Sequence, residues 1–137
     1  MGLIKGCTAL ALHTSKGTLG SGRSFRDNLP DAMTIVPLSR SGRFGAKSAT
    51  SRGDVRVFEC ADPARTAYTF AQKASRGFVS MTPIQGKGYI MRLSDGTLIT
   101  YRYISSSADQ SPVVELKIKN LKRVRTQKIH FVKRSNQ

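Results

Sequence analysis

Residues 88–104, GYIMRLSDGTLITYRYI, contain two strand-like runs on either side of Asp95-Gly96. An Asp-Gly pair between two runs rich in β-branched and aromatic residues is a strong hairpin signal, because glycine accepts the positive φ of a tight turn. The sequence therefore predicts strands over 88–93 and 97–104. This hairpin decides the fold class, since the elements on either side of it need a sheet on which to pack.

A helix is predicted upstream of the hairpin, over residues 63–76. Asp62-Pro63 is typical of a helix start, with Asp as the N-cap and Pro at the first helical position, and Gly77 is a typical helix end. One apolar face follows from spacing at i, i+3, i+4 and i+7, and it consists of Ala67, Phe70, Ala71 and Ala74.

Further strands are predicted at residues 55–58, from Pro112 to Lys119, and from Gln127 to Lys133. Together these elements predict an α+β fold, in which a short helix packs on an antiparallel sheet of four strands or slightly more. Residues 1–53 are crowded with Ser, Gly and Arg and have one short apolar island at 32–38. We expect 1–53 to be an irregular or linker-like N-terminal segment and 54–137 to be the folded domain.

The chain is strongly basic, with 23 Lys and Arg against 8 Asp and Glu and a formal charge of +15. Such a balance implies a polyanionic partner: a nucleic acid, an anionic membrane or an acidic protein. No run of about 18 apolar residues is present, so membrane insertion is not expected. Cys7 and Cys60 lack the C-x-x-C spacing of a zinc site, and His13 and His130 are far apart, so we expect neither metal nor cofactor.

Strand alternation predicts which polar side chains share the face of the sheet away from the helix. If Ile129 and Phe131 face the helix, their neighbours on the same strand point the other way. The same rule applied to the other strands gives a predicted open face containing Arg102, Glu115, Lys117, Lys128 and His130. The position of Arg102 stays open, because Leu98 and Ile104 share its parity.

This set of side chains has the chemistry to cleave RNA without a metal. The reaction needs a base for the 2′-hydroxyl proton, an acid for the departing 5′-oxygen, and cations for the charge on the phosphate. His130 could act as acid or base with Glu115 as its complement, and Arg102 and Lys128 could hold the phosphate. The alternatives remain open that Glu115 is a salt-bridge partner, that Arg102 is a cross-strand charge, and that His130 is an incidental residue on a basic surface strand.

Other polar residues are candidates for substrate contact. The hydroxyls and N–H groups of Ser106 and Ser107 could bind a phosphate oxygen, although such a run is also typical of a flexible turn. Lys87, between two glycines, and Lys117 could bind further phosphates. The alternative for Lys87 is an exposed loop lysine without a ligand.

Residues from about 63 to 132 resemble the C-terminal toxin domains of bacterial polymorphic and contact-dependent inhibition toxins. These domains are assigned to the barnase/EndoU/colicin/RelE-like ribonuclease fold. The resemblance rests on the order and spacing of short motifs, which are Gly88-Tyr89, Asp95-Gly96-Thr97, Thr100-Tyr101-Arg102, Ser105-Ser106-Ser107, Ser111-Pro112-Val113-Val114-Glu115 and Lys128-Ile129-His130-Phe131.

The resemblance implies a metal-independent endoribonuclease that cuts RNA, often tRNA, in the cytoplasm of a competing bacterium. Such a domain is secreted or delivered as part of a larger effector, and a cognate immunity protein, expected to be acidic, neutralises it. We expect a monomer or a 1:1 complex with that inhibitor. By position, the recurring polar residues of the family correspond to Arg102, Ser106, Ser107, Glu115, Lys128 and His130. Either Glu115 or a lysine could be the general base.

A second function class is a non-catalytic basic module that binds RNA or DNA. In that case Lys and Arg would contact phosphates, and Tyr101 or Tyr103 would stack on bases. The two classes differ in the effect of replacing His130. The substitution should abolish cleavage by an enzyme and should have almost no effect on a binding module.

Overall fold

The computed structural model describes residues 22–48, 54–104 and 110–134. This part of the chain has two helices, α1 (Phe25–Met33) and α2 (Pro63–Ala74). Its strands are β1 (Ala46–Lys47), β2 (Val55–Cys60), β3 (Ser80–Ile84), β4 (Gly88–Arg92), β5 (Leu98–Arg102), β6 (Val113–Lys117) and β7 (Gln127–Lys133). Helix α2 lies on the sheet and α1 packs against α2, so the predicted α+β class is confirmed.

The described strands form one sheet in the order β1-β2-β7-β6-β5-β4-β3. All neighbours are antiparallel except β2 and β7, which run parallel from Val55↔Lys128 to Cys60↔Lys133. The prediction of one short helix on an antiparallel sheet of four strands or slightly more is therefore only roughly matched, because the described residues form two helices and a larger, mixed sheet. The sheet has seven strands, because β2 joins it beside β7 and because β1 and β3 add to its two edges. Pro83 on β3 is tolerated because β3 is an edge strand.

The hairpin that decides the fold is present as predicted. Strands β4 and β5 pair antiparallel from Gly88↔Arg102 to Arg92↔Leu98. In the turn, Gly96 has φ +89°, and the backbone N–H of Thr97 donates to Oδ1 of Asp95 at 2.9 Å. Gly88 is required at the other end, where a Cβ would collide with the carbonyl oxygen of Tyr101.

Helix α2 also confirms its prediction. Asp62 is the N-cap, and its side chain accepts a hydrogen bond from the backbone N–H of Arg65 at 3.2 Å. Gly77 follows the helix with φ +75°, a conformation that suits glycine. The four residues of the predicted apolar face are all fully buried and form the floor of the core under the sheet: Ala67, Phe70, Ala71 and Ala74.

The N-terminal segment differs from its prediction. Residues 22–48 are not irregular, because they contain α1, which Ser24 and Asp27 begin with a reciprocal capping box. Five side chains from this range belong to the same core as α2 and the sheet: Phe25, Leu29, Ala32, Val36 and Phe44. Prediction of an irregular segment was wrong here because Pro30 lies inside the helix and the flanking residues are rich in Ser, Gly and Arg. Residues 1–21 and 49–53 lie outside the described residues.

Two buried polar side chains fasten this N-terminal part to the sheet. Gln127, the first residue of β7, accepts from the N–H of Phe44 at 2.7 Å and donates to the carbonyl of Gly42 at 3.0 Å. From β2, Arg56 donates to the carbonyls of Phe44 at 3.0 Å and Gly45 at 3.1 Å. Residues 42–45 are therefore held against the ends of β2 and β7, which fixes where β7 begins.

Candidate functional site

The candidate site lies on the face of the sheet opposite the helices. Ile99 and Tyr101 on β5, like Ile129 and Phe131 on β7, are buried on the helix side. Arg102 therefore points to the other side, which settles the parity that the sequence left open. None of the described helices packs on that side, so we call it the open face.

Strand register brings the four predicted catalytic residues into two adjacent rows. In the first row Thr100, Glu115 and Lys128 stand opposite one another on β5, β6 and β7. In the second row Arg102 and His130 stand on either side of Val113. The prediction that these side chains share one face is confirmed for the catalytic set.

The spacing between the rows follows from sheet geometry. Glu115 is diagonal to both His130 and Arg102, and diagonal neighbours on one face are about 7–8 Å apart. Arg102 and His130 are separated by two strand spacings, or about 10 Å. The carboxylate, the imidazole and the two cations are therefore grouped within about two strand spacings on one face.

His130 is held by a neighbour that the sequence analysis did not single out as a site residue. The hydroxyl of Ser111 lies 3.0 Å from Nδ1 of His130, and Ser111 is 7 % exposed. A hydrogen bond at one ring nitrogen fixes the orientation of an imidazole, and a hydroxyl can either donate to that nitrogen or accept from it. Strand alternation could have found Ser111 from the sequence. Ser111 is two residues before Val113, so it lies on the same side of the chain as Val113, the residue that pairs with His130.

Arg102 has an unusual environment for a cation on an exposed face. Its Nε atom is buried and has no hydrogen-bond partner among the described residues. A buried donor without a partner costs free energy, and the cost is larger for a charged group. An anionic oxygen bound at Arg102 would satisfy such a donor.

Glu115 is half-buried and takes part in none of the ion pairs of the described residues. Lys128 stands opposite it on β7, yet the two charges do not approach within ion-pair distance. The alternative role of Glu115 as a simple salt-bridge partner therefore gains no support from the described contacts.

The predicted substrate-binding residues do not all lie together. Lys87 is exposed and precedes Gly88, the residue opposite Arg102, so it lies at the Arg102 end of the sheet. Lys117 is exposed and pairs with Leu98, two residues beyond Glu115 towards the other end. Ser106 and Ser107 lie outside the described residues.

Within the described residues, no group of three or more His, Cys, Asp or Glu side chains is placed to hold a metal ion. Cys60 is buried, and burial raises the pKa of its thiol, so it is a poor nucleophile at neutral pH. Neither of the two helices is long and apolar enough to cross a membrane.

No known protein-family model, no curated protein and no solved structure matches this chain. The resemblance to bacterial toxin domains therefore stays a prediction, and the functional argument rests on the side chains of the open face.

Proposed function

We propose that this chain is a metal-independent endoribonuclease that cleaves RNA by general acid–base catalysis. The observation that carries the proposal is the register of β5, β6 and β7, which puts Arg102, Glu115, Lys128 and His130 in adjacent rows of one face. This set contains an imidazole, a carboxylate and two cations, and Arg102, Glu115 and Lys128 take part in none of the ion pairs of the described residues.

The proposed reaction is an internal transfer of the phosphodiester. A base takes the proton of the 2′-hydroxyl, the 2′-oxygen forms a bond to phosphorus, and the bond from phosphorus to the 5′-oxygen breaks. An acid then supplies the proton that the 5′-oxygen needs. The products are a 2′,3′-cyclic phosphate and a 5′-hydroxyl, so no external nucleophile or metal is required by the balance of atoms.

His130 and Glu115 act as the acid and the base. Which residue takes which role is set by their protonation states in the complex with RNA. Their diagonal arrangement supports roles on two sides of a bound phosphate. Arg102 and Lys128 stabilise the negative charge that grows on the phosphate oxygens. The unpartnered Nε of Arg102 supports this role, because an anion would complete its hydrogen bonding.

In the wider form of the proposal, the chain is the toxin part of a larger effector that is secreted or delivered into a competing bacterium. It would act on RNA, tRNA above all, in the target-cell cytoplasm and be neutralised by an acidic cognate immunity protein in a 1:1 complex. The net charge of +15 and the resemblance to toxin domains support this form. An acidic inhibitor that covers the open face would associate rapidly, and its association rate would fall as salt is added.

The proposal is tested by incubating the purified chain with a tRNA pool in excess EDTA. We expect cleavage products that end in a 2′,3′-cyclic phosphate. His130→Ala should lower the cleavage rate by about two to four orders of magnitude while RNA affinity is retained. Lys133→Ala is the matched control, because Lys133 is an exposed cation on the same strand with the opposite parity. Intact RNA with the wild-type chain would overturn the proposal.

The second candidate, a non-catalytic RNA- or DNA-binding module, is favoured by the exposed cations of the β6–β7 connection, none of which is in an ion pair of the described residues. Tyr101 cannot stack on a base, because only 2 % of it is exposed, which leaves Tyr103 for that role. For this function His130→Ala would leave binding and activity in cells unchanged. Charge reversal at Lys117, Lys119 or Lys122 would then abolish binding.

A further inference from the structure

The connection between β6 and β7, residues 118–126, carries a dense group of cations away from the candidate catalytic rows. Its charged side chains are all exposed, and they are Lys119, Lys122, Arg123 and Arg125. None of them belongs to an ion pair of the described residues. We call residues 118–126 the basic loop.

The basic loop is held in one conformation by apolar anchors. Leu121 and Val124 are 8 % and 3 % exposed and belong to the hydrophobic core. Burial of two side chains within four residues fixes the backbone between them, so that Lys122 and Arg123 are directed outward. Cations on a fixed backbone lose less conformational entropy on binding than cations on a flexible loop.

Hydrogen bonds secure both ends of the loop. The N–H of Ile118 donates to Oγ1 of Thr126 at 3.0 Å, and the side-chain amide of Asn120 donates to the carbonyl of Asp95 at 2.8 Å. The N–H of Arg125 donates to the carbonyl of Gly42 at 2.9 Å. The loop therefore bridges the β4–β5 turn and the N-terminal part of the domain.

Two grooves are lined by residues of the basic loop. The first, of about 420 Å³, runs between the loop and α1 and is lined by the cations Arg26, Lys122 and Arg123 together with uncharged residues. The second, of about 570 Å³, is lined by Lys119, Lys122 and Arg125. Neither lining includes a carboxylate, so both grooves suit an anion.

The basic loop joins β6 and β7, the two strands that carry Glu115, Lys128 and His130 of the candidate catalytic face. Lys117 and Lys128 carry positive charge from the two ends of the loop onto the open face, where Lys128 stands opposite Glu115. His130 is three residues along β7 from Gln127, or about 10 Å from the end of the loop. Cations on the loop and on the two strands that it joins suit one extended polyanionic strand better than a compact ligand.

We propose that the basic loop is a second phosphate-binding surface, which holds the sugar–phosphate backbone of an RNA chain at a distance from the phosphodiester that is cleaved. This inference rests on the proposed ribonuclease function and names its substrate class, a polynucleotide that spans both surfaces. An acidic protein on the loop is the competing occupant. The short distance along β7 from the loop to Lys128 and His130 favours RNA, because one strand would contact both.

The test uses the double variant Lys122→Gln/Arg123→Gln. Its matched control is Arg65→Gln/Lys73→Gln, which removes the same charge from α2, on the helix side of the sheet. Cleavage is measured on two substrates, a tRNA pool and the dinucleotide UpA, which has a single phosphodiester and cannot occupy both surfaces. We expect kcat/KM on tRNA to fall about tenfold in the loop variant and kcat/KM on UpA to stay unchanged.

RNA affinity is measured separately in the His130→Ala background, with and without the loop substitutions. The slope of log affinity against log salt should become shallower by about 1.4, since each contact to a single strand contributes roughly 0.7. The charge-preserving variant Lys122→Arg/Arg123→Lys should restore both affinity and slope. Equal melting temperatures of the two double variants ensure that the loss comes from charge.

The outcomes separate this inference from the proposed function. If the wild-type chain leaves RNA intact but affinity still depends on the loop, the nuclease is overturned and the RNA-binding surface stands. If the wild-type chain cleaves tRNA but affinity is unchanged in the loop variant, or equally reduced in the control, the inference is overturned. The loop charge would then serve an acidic protein instead.

Discussion

The Ser111 hydroxyl and Nδ1 of His130 lie 3.0 Å apart, which ties the residue two positions before the start of β6 to the middle of β7. This hydrogen bond distinguishes the candidate site from a basic surface strand that happens to contain a histidine. The nearly buried Ser111 hydroxyl restrains the imidazole, whereas an incidental histidine on a surface strand does not require such a restraint. We therefore assign Ser111 as a positioning residue for His130.

Ser111→Ala should lower kcat on RNA by about one to two orders of magnitude with little change in KM, because a misdirected imidazole transfers protons poorly. The pH profile of kcat should shift as well, since the hydroxyl interacts differently with neutral and charged imidazole. Ser111→Thr, which keeps the hydroxyl, is the matched control and should restore the profile. A Ser111→Ala enzyme with lower stability but an unchanged pH profile would reduce Ser111 to a packing residue.

Arg102→Lys should keep the positive charge and lose the planar fork that contacts two phosphate oxygens at once. We expect kcat/KM to fall about tenfold for Arg102→Lys and further for Arg102→Met, because hydrogen bonds to charged groups contribute roughly 1.5–3 kcal/mol. Arg92→Lys, on the exposed end of β4, is the control. Full activity of Arg102→Met would remove this residue from the site.

Phe25→Ala should destabilise the whole domain by about 3–5 kcal/mol, because Phe25 is fully buried in the core shared with α2 and the sheet. Urea denaturation followed by circular dichroism measures the effect. Phe25→Leu keeps most of the apolar volume and should cost much less. A loss below about 1 kcal/mol for Phe25→Ala would mean that α1 is not an integral part of the fold.

Stability should fall at alkaline pH through Tyr101. Burial raises the pKa of its phenol well above the ordinary value, and nearby Tyr68 and Tyr103 raise it further. In the unfolded chain the phenol ionises near pH 10, whereas in the folded chain it stays protonated. Its contribution is therefore fully present below about pH 10 and is lost as the pH rises from there towards the folded pKa.

Tyr101→Phe should flatten this alkaline loss, which is measured as the free energy of unfolding between about pH 9 and pH 11. The expected slope for the wild-type chain is steeper than that of the variant over the same interval. Identical slopes would show that Tyr101 ionises equally in both states. A titration of tyrosinate absorbance in the folded protein provides an independent check.

Local signals in the sequence predicted much of this fold. The Asp95-Gly96 hairpin, the helix that begins at Pro63 and the strand from Gln127 to Lys133 depend on turn chemistry, capping and alternation, which operate over a few residues. The same alternation placed Glu115, Lys128 and His130 on one face. What it could not fix was the parity of the hairpin, because β5 has apolar residues on both sides.

The parts that were missed depend on contacts between distant residues. The parallel pairing of β2 with β7 joins residues more than 70 positions apart, for which no turn signal exists. Gln127 looks like an ordinary polar strand residue, yet it is buried by its bonds to residues 42–44. Helix α1 was hidden by Pro30, and it is stable because its apolar side chains enter a core formed mainly by later residues.

The position of β7 in the sheet has a consequence for how the protein folds during its synthesis. Among the described strands β7 is the last to be synthesised, yet it lies between β2 and β6. A nascent chain without it has two separate pieces of sheet, β1-β2 and β6-β5-β4-β3, and a core that lacks Ile129 and Phe131. Because His130 and Lys128 are on the joining strand, a chain interrupted before β7 would lack both its architecture and its proposed chemistry.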